Sequence, residues 1–161
     1  MKSSRTIIEK FYLFVATGFG IGLFAPFAPG TFGSLPGVAL AYLVSVMPLY
    51  LQIVVCTGLV LLAIPFCDVA EKILGLKDDG RITADEWMLY PLSFIGIPLL
   101  SLPWWSMIIF FAVVRFMDIV KLPPAKQLQS IPGGRGIVID DFIANLYSLA
   151  LNWAIYLCFF K

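Results

Sequence analysis

The chain alternates long uncharged apolar runs with short polar islands. No charged residue occurs from Phe11 to Cys67, from Trp87 to Val114, or from Phe142 to Phe160. Two islands, Asp68–Glu86 and Arg115–Asp141, separate these runs, and a short basic head, Met1–Lys10, precedes them. One bilayer crossing takes about 20 apolar residues, so the first run is long enough for more than one. Its opening, Phe11–Gly33, is rich in Gly and Pro, which break regular structure. It is expected to be partly helical, partly looped and near the membrane interface. Leu35–Tyr50 and Leu51–Phe66 then read as a helical hairpin turning near Pro48, with Ser34 as N-cap and Pro36 in the first turn. Asp68–Leu76 extends the second helix, and Gly75 stands near its end. Asp78-Asp79-Gly80 reads as a turn. Thr83 and Glu86 have the spacing of a capping box. Pro91, Pro98 and Pro103 divide Trp87–Val114 into two short helices with a turn near Pro103. Phe142–Phe160 forms a last span. The expected fold is all-α: a polytopic helical membrane protein with a Gly/Pro-rich N-terminal loop segment and two cytoplasmic polar loops, one domain over residues 1–161.

Composition agrees with that reading. The 161 residues are 60% hydrophobic and 13% charged, with mean hydropathy +0.94, whereas soluble domains are about 25% charged. The net charge of +1 argues against non-specific nucleic-acid binding. Lys2, Arg5 and Lys10, then Lys72, Lys77 and Arg81, then Arg115, Lys121, Lys126 and Arg135 place all three polar segments on the cytoplasmic side by the positive-inside rule. About five crossings satisfy this, and the segment 1–10 reads as a retained cytoplasmic N-terminus. Three scattered cysteines make no disulfide framework. The chain has no histidine and no clustered cysteine, the ligands that zinc sites mostly use. A metal here would be a hard cation on carboxylate oxygens, with Mg²⁺ the first choice.

Candidate chemistry concentrates in the islands. Arg115, Asp118 and Lys121 fall on one side of a helix. They make either an end-of-helix ion pair with a C-terminal lysine or, next to membrane-like sequence, a functional site. Asp85-Glu86 and Asp140-Asp141 each precede an apolar run. Helix capping accounts for one acid per pair; with Asp78 and Asp118 they offer oxygens for one or two Mg²⁺ ions. Gly30-Thr31-Phe32-Gly33-Ser34 suits either an anion nest or tight loop packing. Gly133-Gly134-Arg135-Gly136 suits a flexible turn. Two rival readings use the same charges. A transporter or channel would line a pathway with an intramembrane ion-pair network. A structural subunit would use them as caps and salt bridges alone.

Four blocks together carry a resemblance: GFGIGLFAPFAPGTFGSLPG at Gly18–Gly37, DDGRITADE at Asp78–Glu86, RFMDIVKLPP at Arg115–Pro124 and GGRGIVIDD at Gly133–Asp141. In this order they resemble the phosphatidylglycerophosphatase A family. The resemblance implies a Mg²⁺-dependent phosphatase of the bacterial inner membrane, with its site on the cytoplasmic side, that converts phosphatidylglycerophosphate to phosphatidylglycerol. Carried over by position, Asp78, Asp85, Glu86, Asp118, Asp140 and Asp141 are its metal ligands. Asp118, Asp141, Arg115 and Lys121 are catalytic, and Thr31, Gly33, Ser34 and Arg135 bind substrate. The bilayer and its lipid are the expected partners.

Overall fold

The computed structural model describes residues 6–25, 27–77 and 79–161. Every regular element among them is helical. Thr6 opens α1 (Ile7–Ala16) with a true capping box, its side chain and that of Glu9 each taking the other's backbone N–H. Two short helices follow, α2 (Ile21–Phe24) and α3 (Pro29–Gly33). The hairpin comprises α4 (Leu35–Ser45) and α5 (Leu49–Leu74), and Pro48 in extended geometry makes the turn. Gly75 ends α5 at φ +74°, a left-handed conformation that favours glycine. The first island, Asp68–Glu86, leads into α6 (Ala84–Leu89) and two 3₁₀ turns, Tyr90–Phe94 and Leu99–Ser101. α7 (Ser106–Val120) and the short α8 (Ala125–Leu128) lead to α9 (Gly134–Phe159).

α5 and α9 pack lengthwise and antiparallel. Gly134 lies so close to α5 that a Cβ there would stand 2.6 Å from the Asp68 amide nitrogen and collide with the Ile64 carbonyl. Near the other end, Leu49 and Gln52 share a cavity wall with Leu149 and Trp153. Glycine permits this approach, as small residues do where membrane helices touch. α6 is enclosed by α1, α5 and α9 through Trp87, Met88 and Leu89, and α7 packs Phe110 and Val114 against Tyr90 and Phe94.

Among the described residues, two helices, α5 and α9, are long and apolar enough to cross a membrane. Only 28% and 22% of their most apolar windows are buried. The core helix of a soluble protein would be mostly buried; these present apolar side chains outward, as a helix in lipid does. α4 and α7, with 11 and 15 residues, fall short of the about 20 needed for a crossing. With the stretch before Pro103, which forms only the end of α6 and two 3₁₀ turns, they are the elements from which the expectation of about five spans drew its additional crossings.

Three local expectations are corrected. Ser34 makes no side-chain cap at α4; its hydroxyl lies 2.6 Å from the Gly30 carbonyl oxygen, to which it donates. Thr83 makes none at α6, and Glu86, whose side chain would have closed the other half of the box, is held by Arg115 instead. The last helix begins at Gly134, not Phe142, so Gly133–Gly136 is a helix start rather than a flexible turn. A Cβ on buried Gly136 would run into the Ile131 carbonyl, which explains the glycine there.

Candidate active site

The polar islands meet. Lys77 donates to the Ser130 carbonyl at 3.1 Å, and the Gly134 amide faces Asp68 at 3.4 Å. Deeper in, Arg115 on α7 reaches α6 and the loop before α4. Its Nη1 lies 2.6 Å from Glu86 Oε2, 3.0 Å from Asp118 Oδ2 and 3.3 Å from Ser34 Oγ. Ser34 Oγ is also 3.1 Å from Glu86 Oε2. Gly30 backs this cluster, and a Cβ there would strike the Glu86 carboxylate and the Arg115 guanidinium. The Arg115–Asp118 pair therefore exists, but as part of a network joining three elements.

Lys121 departs from the shared helical side expected for it. It is the C-cap of α7, at φ +46°, and pairs with Asp140, with Asp141 Oδ1 at 3.5 Å. Both aspartates lie past the first turn of α9, where the backbone amides are already bonded within the helix. Helix capping does not account for them. Asp141 is within electrostatic reach of Asp118, Asp85, Asp140 and Lys121. A cavity of about 10 Å³, room for about one water, is lined by Ser34, Glu86, Tyr90, Arg115, Asp118, Asp141 and Asn145, among others. Burial pushes the Glu86 carboxyl up; Arg115 opposes this and Asp118 adds to it, leaving it at about 7.

Other expected residues lie apart or play different parts. Arg135 is exposed and lines a separate cavity with Asp68, Pro132 and Gly134. One helical step is 100°, so Arg135, Ile139 and Phe142 fall on the face of α9 opposite Asp140 and Asp141. Gly33 is buried against the Thr83 side chain, a packing position rather than an open binding surface. Thr31 is half-buried, with its carbonyl 3.3 Å from Ser34 Oγ. The Phe32 and Ser34 amides donate to Ala28 and Gly30 carbonyls, so this stretch is a helical turn rather than an open nest. Asp78 lies outside the described residues.

Sequence reasoning missed a buried polar stripe on α9. Asn145 donates to the Asp141 carbonyl and accepts from Ser93 Oγ at 2.7 Å, while Asn152 donates to the Ser93 carbonyl. The signal was present: Asp141, Asn145, Ser148 and Asn152 recur at helical spacing within an apolar run.

The acids fit a hard cation by chemistry and charge. Five buried or half-buried carboxylates, Asp85, Glu86, Asp118, Asp140 and Asp141, face two cations, Arg115 and Lys121. Among the described residues, no three such side chains converge as a metal cage. Glu86 and Asp118 are drawn onto Arg115, and Asp140 onto Lys121.

Fold and site together define a helical protein with two long, outwardly apolar helices and a buried acid–base centre between its polar segments. The profile of the family described as Phosphatidylglycerophosphatase A matches residues 14–156. The chain belongs to the phosphatidylglycerophosphatase A family. It is 35% identical over 143 residues to the Phosphatidylglycerophosphatase A of Haemophilus influenzae, covering 88% of this chain and 86% of that one. It is 32% identical over 158 residues to the Escherichia coli protein of that name, covering 94% and 87%. A Bacteroides thetaiotaomicron relative, 32% identical over 150 residues and covering 85% and 88%, carries the provisional name of a phosphatidylinositol-3-phosphatase. No solved structure matches.

Proposed function

We propose that this chain is a phosphatase of the bacterial cytoplasmic membrane that hydrolyses phosphatidylglycerophosphate to phosphatidylglycerol and phosphate in phospholipid biosynthesis. The observation that carries this reading, beside the family, is a buried arginine held between two carboxylates and a serine, with a second lysine–aspartate group beside it. A phosphate monoester presents the same kind of anionic oxygens to Arg115 that Glu86 and Asp118 do.

Arg115 and Lys121 bind and neutralise the phosphoryl oxygens, as basic clamps do in phosphoryl transfer. Asp85, Asp118, Asp140 and Asp141 would hold Mg²⁺, with Glu86 beside them and Asp78 added by sequence position. Bound Mg²⁺ supplies Lewis-acid polarisation of the phosphoryl group. Glu86, poised near neutrality, takes the proton of the attacking water. The water oxygen bonds to phosphorus, the phosphorus–oxygen bond to the lipid breaks, and the lipid oxygen gains a proton. Ser34 orients Glu86 through its hydroxyl. The protein crosses the membrane through α5 and α9, with the site on the cytoplasmic face.

The test is phosphate release by the purified protein from phosphatidylglycerophosphate, with and without Mg²⁺. A phosphatidylinositol 3-phosphate arm separates the two head groups named among the relatives. Release from the first substrate, dependent on Mg²⁺, is expected; release from neither removes the reading.

A further inference from the structure

Of the buried polar residues on α9, Ser148 is satisfied within its own helix, its hydroxyl donating to the Ala144 carbonyl, and Asn152 ties α9 to the Ser93 carbonyl. Such bonds suit the packing of membrane helices and call for no ligand. Asn145 differs. It lines the cavity of about 10 Å³ together with Glu86, Arg115, Asp118 and Asp141, among others, and only 4% of it is exposed.

The chemistry of its neighbours fixes which way its amide faces. The Asp141 carbonyl can only accept, so the amide nitrogen, 2.8 Å away, must face it. The amide oxygen then faces Ser93, whose hydroxyl donates to it at 2.7 Å. Ser93 is fully buried and stands outside the cavity wall, whereas Asp141 is part of that wall. The nitrogen end of the amide therefore lies on the cavity side. An amide nitrogen carries two N–H groups. The Asp141 carbonyl takes one, and the other meets no acceptor among the described residues. Arg115, in the same wall, has a buried Nε–H that also lacks an acceptor. Buried donors are rarely left without partners, so two around one cavity call for an occupant that brings acceptor oxygens.

We infer that Asn145 is a further substrate-binding residue: its second amide N–H donates to a phosphoryl oxygen of the lipid phosphate monoester, and Ser93 positions the amide to do so. Resting on the proposed function, this contact adds a neutral donor to the charged ones already named. A cavity with room for about one water admits a single phosphoryl oxygen rather than a whole phosphate. Charge in phosphoryl transfer spreads over the equatorial oxygens, and a fixed donor gains strength as that charge develops. A neutral amide suits this wall, which already sets Glu86, Asp118 and Asp141 against Arg115. It holds an anionic oxygen without needing a further counter-ion. Asn145 is no proton acceptor here, because Ser93 occupies its oxygen.

The test uses the purified full chain in Mg²⁺ buffer. Asn145→Ala favours the helix and leaves the Ser93 hydroxyl an acceptor, the backbone carbonyl at position 145, 3.3 Å away. It should lower kcat on phosphatidylglycerophosphate by about a hundredfold or more. It should also weaken orthophosphate binding, read by phosphorus NMR line broadening, by about tenfold. Ser93→Ala should lower kcat by less, and Ser93→Thr, which keeps a hydroxyl donor, should restore it.

A packing role predicts a different pattern. A lower Tm in Asn145→Ala, with native kcat and native phosphate affinity, overturns the inference and leaves the phosphatase reading standing. Should Asn145→Ala not fold, native kcat in Ser93→Ala overturns the positioning role. Phosphate binding that depends on Asn145, in a chain that hydrolyses no monoester, upholds the contact and removes only the catalytic reading. Failure of the native chain to bind orthophosphate overturns the contact outright.

Discussion

Asp118 and Asp141 line the same small cavity from different helices, and neither caps a helix. Asn matches Asp in size but lacks its charge. Asp118→Asn and Asp141→Asn should therefore lower kcat by at least about a hundredfold while the protein still inserts and folds, as steady-state kinetics and size-exclusion profiles will show. Near-native turnover in both would remove them from the chemistry. Glu86 carries a second expectation. Its carboxyl, raised to about 7, holds its proton at pH 6 and has lost it at pH 8. If the ionised form accepts the water proton, rate rises as pH passes through about 7, and that limb should vanish in Glu86→Gln. A limb of the same midpoint in the variant would assign the titration elsewhere. At this scale the sequence was legible for the acids, since charges in so apolar a chain stand out. It was misleading about their partners. Thr83 and Glu86 had capping-box spacing, yet Arg115, distant in sequence, takes the carboxylate. A cap is a local preference of about 1 kcal/mol, and a buried guanidinium requires its counter-ion more strongly.

The helices divide into those whose ends were legible and those whose ends were not. Pro48 and Gly75 bracket α5, and both follow from backbone restrictions that are properties of the residues themselves. The start of α9 was hidden because Gly133-Gly134-Arg135-Gly136 has the composition of a turn. Its glycines are required by neighbours distant in sequence or outside the helix, Ile64 and Asp68 for Gly134 and Ile131 for Gly136. Gly134→Ala tests this. Alanine favours an isolated helix by about 1 kcal/mol, whereas overpacking costs about 1–3 kcal/mol. Net destabilisation, seen as a lower Tm in detergent, is expected. A raised Tm would show that α5 and α9 are not held at this distance by the missing side chain.

Across the whole molecule, Lys77 and Ser130 mark the end where the polar segments join, and Gln52 and Trp153 lie towards the other end of the α5–α9 pair. With Cys56, Cys67 and Cys158 replaced, single cysteines at 77 and 130 should react with impermeant reagents only from the cytoplasmic side. Labelling from the outer face of intact cells would overturn the proposed orientation. Chelation of divalent ions should abolish turnover and added Mg²⁺ should restore it; full rate in metal-depleted buffer would remove the metal from the mechanism. The guanidinium that already has two carboxylate partners has one more consequence. Under the proposed function, an incoming lipid must compete with Glu86 and Asp118 for Arg115. A phosphodiester lipid brings one negative charge to that contest, while a phosphate monoester brings up to two. The protein's own acids thus act as resident competitors, screening the dianionic minority from the surrounding sea of singly charged head groups before any bond is broken.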